Sequence, residues 1–260
     1  MSAADAADRR NVALRALVCL DLTNLDTECD AAAIDTLCAR AQTRYGSVAA
    51  VCVWPRFVVQ ARERLARTGI RTSTVVDFPA GTGGEVTAAD EARAALADGA
   101  EEIDMVVPWQ ALRDGKPEAV SGAVAAVRAA IGDTTLKAIL ETGDLADPAL
   151  IGLAAERALA GGADFLKTST GKTGTGATLE AAEILLRAIS RADRRAGFKA
   201  SGGVRTLEDA RVYLDLADRI MGGGWAGPQH FRIGASGLLD AVLATAGGSA
   251  GASAEDESDY

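Results

Sequence analysis

Short apolar strands alternate with amphipathic helices along almost all of the 260 residues. Stretches rich in β-branched residues predict eight strands, at residues 17–22, 48–54, 71–76, 102–107, 136–142, 164–169, 197–201 and 231–235. Repeated strand–helix–strand units form right-handed parallel crossovers. The pattern therefore predicts an α/β fold, a (β/α)8 TIM barrel in a single domain, with a doubly wound sheet as the alternative.

Helical patterns between these strands carry their own start and stop signals. One covers residues 30–46, with Asp30 as N-cap and Gly46 as stop. Another covers 178–197, with Thr178 as N-cap and Gly197 as stop, and a third covers 206–218. These helices fit between the predicted strands of a barrel.

The two ends of the chain differ from this regular middle. The barrel domain is predicted over residues 1–246, including a short N-terminal helical segment. Residues 247–260, "GGSAGASAEDESDY", are small, polar and acidic, which predicts a flexible, disordered C-terminal tail. The start has no signal-peptide pattern and no apolar run could cross a membrane, so we expect a cytoplasmic protein without membrane contact.

Charge and metal-binding residues exclude several functions. The net charge of −9 disfavours binding to nucleic acid or anionic membranes. The four cysteines form no CxxC pair, and His230 is the only histidine. We therefore expect no metal site, and reduced cysteines with structural roles.

Lysine is scarce but unusually placed. The chain has five lysines among its 27 basic residues, and four of them lie in or just after apolar runs: Lys137, Lys167, Lys172 and Lys199. A lysine amine can lose its proton when it is buried and then attack a carbonyl, whereas a guanidinium stays protonated. A single strand-end lysine commonly reaches solvent, but four together favour a chemical role.

Strand alternation places these lysines near one another. In a barrel, chemistry lies at the carboxyl ends of the strands. If the faces that carry Lys137, Lys167, Lys199 and Asp104 point inward, these side chains converge in one cavity. Apolar surroundings and a second ammonium group would then lower the pKa of Lys167. On this alternation Glu141 also shares the face of Lys137.

Glycine-rich turns follow the last three predicted strands: "STGKTG", "SGGVR" and "GASG". Such turns, opening helices at this end of a barrel, often hold a phosphate through backbone N–H groups. Three turns beside Lys172 predict a phosphate site.

With these features the chain resembles the deoxyribose-phosphate aldolase family, from about Leu17 to Leu243. The resemblance rests on "ADFLKTSTGK" (163–172), "GFKASGGVRTLEDA" (197–210), "EEIDMVVP" (101–108), "LKAILETG" (136–143) and "FRIGASG" (231–237). It implies that Lys167 forms an imine and that Asp104 and Lys199 move protons. It also implies that phosphate binds at Lys172, Gly171, Gly202, Gly203 and Ser236.

Further candidate substrate-binding residues are Thr170, Gly237, Lys137, Asp21, Thr23 and Cys52. Three positions depart from the family pattern: "ASGG" replaces Pro-Ala-Gly-Gly, Trp54-Pro55 replaces Tyr-Pro, and Ser236-Gly237 replaces Ser-Ser. The last departure removes one hydroxyl donor to phosphate, although the backbone N–H of Gly237 remains.

The resemblance implies reversible cleavage of 2-deoxy-D-ribose 5-phosphate to D-glyceraldehyde 3-phosphate and acetaldehyde, by a class I aldolase that needs no cofactor or metal. Another imine-forming, phosphate-binding barrel, such as a transaldolase-like enzyme, is the alternative, and a ligand-binding barrel with a structural cation cluster is the non-enzymatic one. A contribution of Tyr260 to proton transfer is a further hypothesis. A homodimer is compatible with the sequence.

Overall fold

The structure, a computed structural model, describes residues 2–247. The tail beyond it, including Tyr260, lies outside the described residues. Eight parallel strands close into a barrel in sequence order, which confirms the predicted fold. They are β1 Leu20–Asn24, β2 Ala50–Val53, β3 Arg71–Val76, β4 Glu102–Val106, β5 Thr135–Ile139, β6 Phe165–Lys167, β7 Gly197–Ser201 and β8 Phe231–Ala235.

Helices surround the barrel, and the apolar core lies between the strands of the barrel and these helices. They are α1 Ala3–Val18, α2 Ala31–Arg40, α3 Val58–Arg64, α4 Gly84–Ala97, α5 Trp109–Arg113, α6 Glu118–Ile131, α7 Thr142–Leu145, α8 Pro148–Ala160, α9 Leu179–Arg191, α10 Leu207–Met221 and α11 Leu238–Ala246. The N-terminal helix α1 packs against α10 and α11. Within residues 2–247, every helix is too short or too polar to cross a membrane.

Side-chain caps explain where several helices begin. The Asp30 carboxylate accepts a hydrogen bond from the Ala33 N–H, and the Thr178 hydroxyl accepts one from Ala181. These contacts confirm both predicted N-caps, because each satisfies a backbone donor that the first turn leaves free. Thr206 caps α10 in the same way.

Several predicted boundaries were wrong. The first strand begins at Leu20 rather than at residue 17, because α1 continues through Val18. Helix α2 ends at Arg40, since residues 42–47 form a small two-stranded hairpin. Helix α9 ends at Arg191, and Gly197 is the first residue of β7 instead of a helix stop. A Cβ at Gly197 would lie 2.4 Å from the Phe165 ring, so this glycine makes room inside the barrel.

The strand register arranges the inward-facing residues in three layers of four, each layer drawn from alternate strands. The lower layer, towards the amino ends of the strands, consists of Ala50, Glu102, Phe165 and Arg232. The middle layer consists of Asp21, Ser73, Lys137 and Lys199, and the upper layer of Cys52, Asp104, Lys167 and Gly234. Branched apolar residues usually fill such an interior, whereas charged side chains occupy most of these positions.

Candidate active site

Lys167 ends strand β6 and points into the upper layer. Its side chain is only 3% exposed. Its Nζ atom lies 2.8 Å from Oδ2 of Asp104, which is fully buried on β4. The apolar strand therefore does place its terminal lysine inside the barrel, as the sequence predicts.

Asp104 joins the lysines of three neighbouring strands. Its Oδ2 also accepts a hydrogen bond from Lys199 at 2.7 Å, and its Oδ1 accepts one from Lys137 at 2.7 Å. The Ser73 hydroxyl donates to Oδ1 at 3.2 Å. One carboxylate thus contacts the ammonium groups of β5, β6 and β7.

The same burial affects the lysines differently. Burial lowers the pKa of Lys167; the neighbouring Asp104 carboxylate opposes this change and the Lys199 ammonium reinforces it. Burial would also lower the pKa of Lys199, but Asp104 and Asp21 outweigh it and raise that pKa. Lys167 is therefore the amine poised to lose its proton, while Lys199 stays a cation.

The buried carboxyl group of Asp104 is ionised. Burial alone would raise its pKa, but the ammonium groups of Lys137, Lys167 and Lys199 hold it well below its usual range. Burial raises the pKa of the neighbouring Cys52 thiol, so this cysteine stays protonated. An amine with a lowered pKa, a carboxylate and an ammonium group therefore meet within hydrogen-bond distance, which is a set suited to imine formation and proton transfer.

Further ion pairs lie below Asp104, towards the amino ends of the strands. The Lys137 Nζ lies 2.6 Å from Glu102, and the Lys199 Nζ lies 2.5 Å from Asp21. Arg232 on β8 contacts Asp21 at 2.6 Å and Glu102 at 2.7 Å. We call this set the interior network; its members are Asp21, Glu102, Asp104, Lys137, Lys167, Lys199 and Arg232.

A cleft of about 500 Å³ opens above the network at the carboxyl ends of the strands. This upper cleft is lined by loops that follow β1, β6, β7 and β8. The predicted substrate-binding residues that line it are Thr23, Thr170, Gly171, Lys172, Gly202, Gly203 and Ser236. The structure therefore brings together the three glycine-rich turns and Lys172.

Glycine is required where two of these turns meet. Gly202 has a φ of 91°, and a Cβ there would lie 2.9 Å from the Gly176 backbone. The Gly202 carbonyl accepts a hydrogen bond from Ala177 at 2.9 Å. The backbones after β6 and β7 therefore run in direct contact, and a side chain at Gly202 would prevent this approach.

Glu141 holds the turn that carries Lys172, a role that the sequence did not reveal. Strand β5 ends at Ile139, so Glu141 does not continue its inner face, and it has a left-handed φ of 50°. Its buried carboxylate accepts hydrogen bonds from the Thr170 N–H at 3.2 Å and hydroxyl at 2.5 Å. The same hydroxyl accepts one from the Lys172 N–H at 3.1 Å.

Other candidates lie apart from the cleft. Asp21, Cys52 and Lys137 are completely buried, and none of them lines the cleft. Gly237 is the N-cap of α11 and has no side chain to donate.

Arg205 and Arg40 also line the cleft, and Arg40 is ion-paired with Asp240 of α11. Sequence reasoning missed these two arginines, together with Glu102 and Arg232 below. The polar residues inside "EEIDMVV" and "FRIGA" were the available signal for the lower pair. In residues 2–247, no three or more His, Cys, Asp or Glu side chains are grouped so as to hold a metal ion.

The chain is similar to known proteins over most of its length. A curated deoxyribose-phosphate aldolase from Agrobacterium fabrum is 51% identical over 236 residues, which is 90% of this chain and 91% of that protein. A solved structure from Coccidioides immitis, described as a candidate deoxyribose-phosphate aldolase, superposes with a TM-score of 0.79 at 34% identity. That alignment covers 90% of this chain and 86% of the other.

A tetrameric deoxyribose phosphate aldolase from Aeropyrum pernix has a TM-score of 0.70 at 26% identity, covering 94% of this chain and 98% of that one. The family model described as DeoC/LacD family aldolase matches residues 15–243, which include the whole barrel and every member of the interior network. With its lysine-centred barrel and these relatives, the chain belongs to the DeoC/LacD family of aldolases.

Proposed function

We propose that this aldolase reversibly cleaves 2-deoxy-D-ribose 5-phosphate to D-glyceraldehyde 3-phosphate and acetaldehyde. The observation that carries the proposal is the contact of Lys167 with Asp104 and, through it, Lys199, directly below a glycine-lined cleft with Lys172. The 51% identity to a deoxyribose-phosphate aldolase supports this substrate.

The first step is covalent. The neutral Lys167 amine attacks C1 of the open-chain sugar and forms a carbinolamine, which loses water to give a protonated imine. Lys199 and Asp104, 2.7 Å apart, move a proton from the attacking nitrogen to the aldehyde oxygen and then supply the proton with which the hydroxyl leaves as water. No cofactor or metal enters the proposed steps.

The imine then accepts the electrons of the broken bond. Loss of the proton on the C3 hydroxyl lets the C2–C3 bond break, with its electron pair forming an enamine on Lys167. D-glyceraldehyde 3-phosphate leaves, C2 of the enamine takes a proton, and water hydrolyses the imine to release acetaldehyde. Asp104 and Lys199, acting through water, move these protons.

The phosphate occupies the upper cleft. Lys172 supplies a cation, and the turns at Gly171, Gly202 and Gly203 supply backbone N–H groups. Ser236 and the first turn of α11 complete the site, since the amino end of a helix favours an anion. The sugar therefore spans from a charged rim to a buried amine. We propose that the protein acts in the cytoplasm as a homo-oligomer, of which a dimer is the simplest form.

The direct test is to incubate the full chain with 2-deoxy-D-ribose 5-phosphate and measure acetaldehyde with alcohol dehydrogenase and NADH. We expect acetaldehyde and D-glyceraldehyde 3-phosphate in equal amounts, and none with Lys167→Arg. In a parallel incubation with a ketose phosphate donor and an aldose phosphate acceptor, transfer of a dihydroxyacetone unit, without acetaldehyde in the first assay, would instead favour the transaldolase-like alternative, and absence of both activities would favour the binding module.

A further inference from the structure

Arg232 and Glu102 lie at the opposite end of the barrel from the upper cleft. Both line a second cleft of about 500 Å³ near the amino ends of the strands, and neither lines the upper one. Arg232 is 7% exposed and Glu102 is 3% exposed. The proposed chemistry uses neither residue, yet ion pairs connect both to the reacting amine.

Two routes of contact lead from Arg232 to Lys167. Arg232 lies 2.7 Å from Glu102, which lies 2.6 Å from Lys137, which lies 2.7 Å from Asp104. On the other side Arg232 lies 2.6 Å from Asp21, which contacts Lys199 at 2.5 Å. Lys199 in turn contacts Asp104, so both routes end at the carboxylate that contacts Lys167.

The charges of the network do not balance if every group is ionised. It contains the cations Lys137, Lys167, Lys199 and Arg232, and the carboxylates Asp21, Glu102 and Asp104. Cys52, which also faces Lys167, is a neutral thiol. Charges buried together are stable when they are paired, so one cation is in excess. Loss of the Lys167 proton leaves three cations and three carboxylates.

We propose that Arg232 is a positioning residue that keeps Lys167 as a neutral amine by supplying the last positive charge that the three carboxylates require, and that Glu102 carries this influence to the catalytic centre. A guanidinium suits this role, because it stays protonated and cannot itself give up the excess proton. The inference rests on the proposed function, since it assigns Lys167 as the nucleophile.

Charge counting predicts opposite effects for the two residues. In Arg232→Met the three lysines face three carboxylates, so protonated Lys167 restores balance and its pKa rises. In Glu102→Gln the excess of cations increases, so the pKa of Lys167 falls further. The double variant, which combines Arg232→Met with Glu102→Gln, has two cations and two carboxylates beside neutral Lys167. Its buried charges are therefore as balanced as those of the wild type. A merely structural ion pair would instead damage both single variants in the same direction.

The test follows the rate of borohydride trapping of acetaldehyde at Lys167 as a function of pH, with melting temperature as a control for folding. The neutral amine reacts, so the rate rises with pH up to the pKa of Lys167 and then levels off. We expect this rise to move to higher pH in Arg232→Met and to lower pH in Glu102→Gln, each by at least about half a pH unit. Arg232→Lys, which keeps the charge, and the double variant should stay near the wild-type position.

If Arg232→Met does not fold, the opposite shift in Glu102→Gln and the return in the double variant still decide the inference. An unmoved pH profile in every folded variant overturns it, and so does the same direction of shift in both single variants. Absence of trapping at Lys167 in the wild type would overturn the proposed function as well, so the two failures are distinguishable.

Discussion

The interior network and the upper cleft carry charge in different ways. In the interior, strands hold Lys167 and Asp104 2.8 Å apart, with side chains 3% and 0% exposed. In the cleft, a turn holds Lys172, which is 31% exposed and lies 4.0 Å from Asp26, a residue 86% exposed. A rigid strand fixes the position of a reacting atom, whereas a turn tolerates different ligands. We therefore expect interior changes to affect chemistry and cleft changes to affect substrate preference.

Replacement of lysine by arginine should separate the two regions most clearly. Lys167→Arg keeps a positive charge but removes the nucleophile, so we expect kcat to fall by at least about 10³-fold. Lys172→Arg keeps the cation that the phosphate requires, so the main effect should be a change of a few fold in KM. Steady-state assays with 2-deoxy-D-ribose 5-phosphate measure both. A similar loss of kcat in the two variants would remove the distinction between the regions.

Asp104→Asn tests the centre of the network. The amide keeps the shape but leaves three buried lysines without their shared carboxylate. We expect kcat to fall by about 10²- to 10⁴-fold and the free energy of unfolding to fall by about 3–5 kcal/mol. Asp26→Asn is the matched control at the cleft, where the loss of an exposed pair should leave the melting temperature unchanged. Equal melting temperatures in the two variants would contradict this account.

Ser236→Asp should alter substrate preference without impairing the chemistry. The new carboxylate would lie where the phosphate is expected, so repulsion should raise KM for the phosphorylated sugar by roughly tenfold. The reaction of 2-deoxy-D-ribose itself, which has no phosphate, should change little. Comparison of kcat/KM for the two sugars gives the answer, and equal losses for both would indicate misfolding instead.

Glu141→Gln should have the smallest effect of this series. The amide still accepts one hydrogen bond from the Thr170 turn but loses the charge that strengthens it. We expect a rise of about two- to fivefold in KM with kcat unchanged, since the turn carries Lys172 and not the nucleophile. A loss of kcat as large as that of Asp104→Asn would place Glu141 in the chemistry.

Local patterns in the sequence predict much of the fold and the upper part of the site. Alternation along β4, β6 and β7 is enough to place Asp104, Lys167 and Lys199 on inner faces, and barrel topology brings these faces together. The same reasoning fails at Glu141, because the strand ends two residues earlier and a left-handed turn redirects the side chain. It also fails at residue 17, where helix α1 continues into the predicted strand.

Arg232 illustrates why the lower part of the site was not predicted. Its partners Asp21 and Glu102 are distant in sequence, and their relation depends on how the barrel closes between β8 and β1. A strand pattern specifies the face of a residue but not which charges meet it across the barrel. The hypotheses on the tail beyond residue 247 and on Tyr260 stay predictions.

The central claim is that Lys167 is the nucleophile, and its covalent capture tests this most directly. The full chain is incubated with acetaldehyde and borohydride, digested, and mapped by mass spectrometry. The account predicts one ethyl group on Lys167, with Lys137, Lys172 and Lys199 unmodified, because Lys167 alone among the buried lysines has a lowered pKa. Modification confined to Lys199 or Lys172, with Lys167 intact, would contradict it.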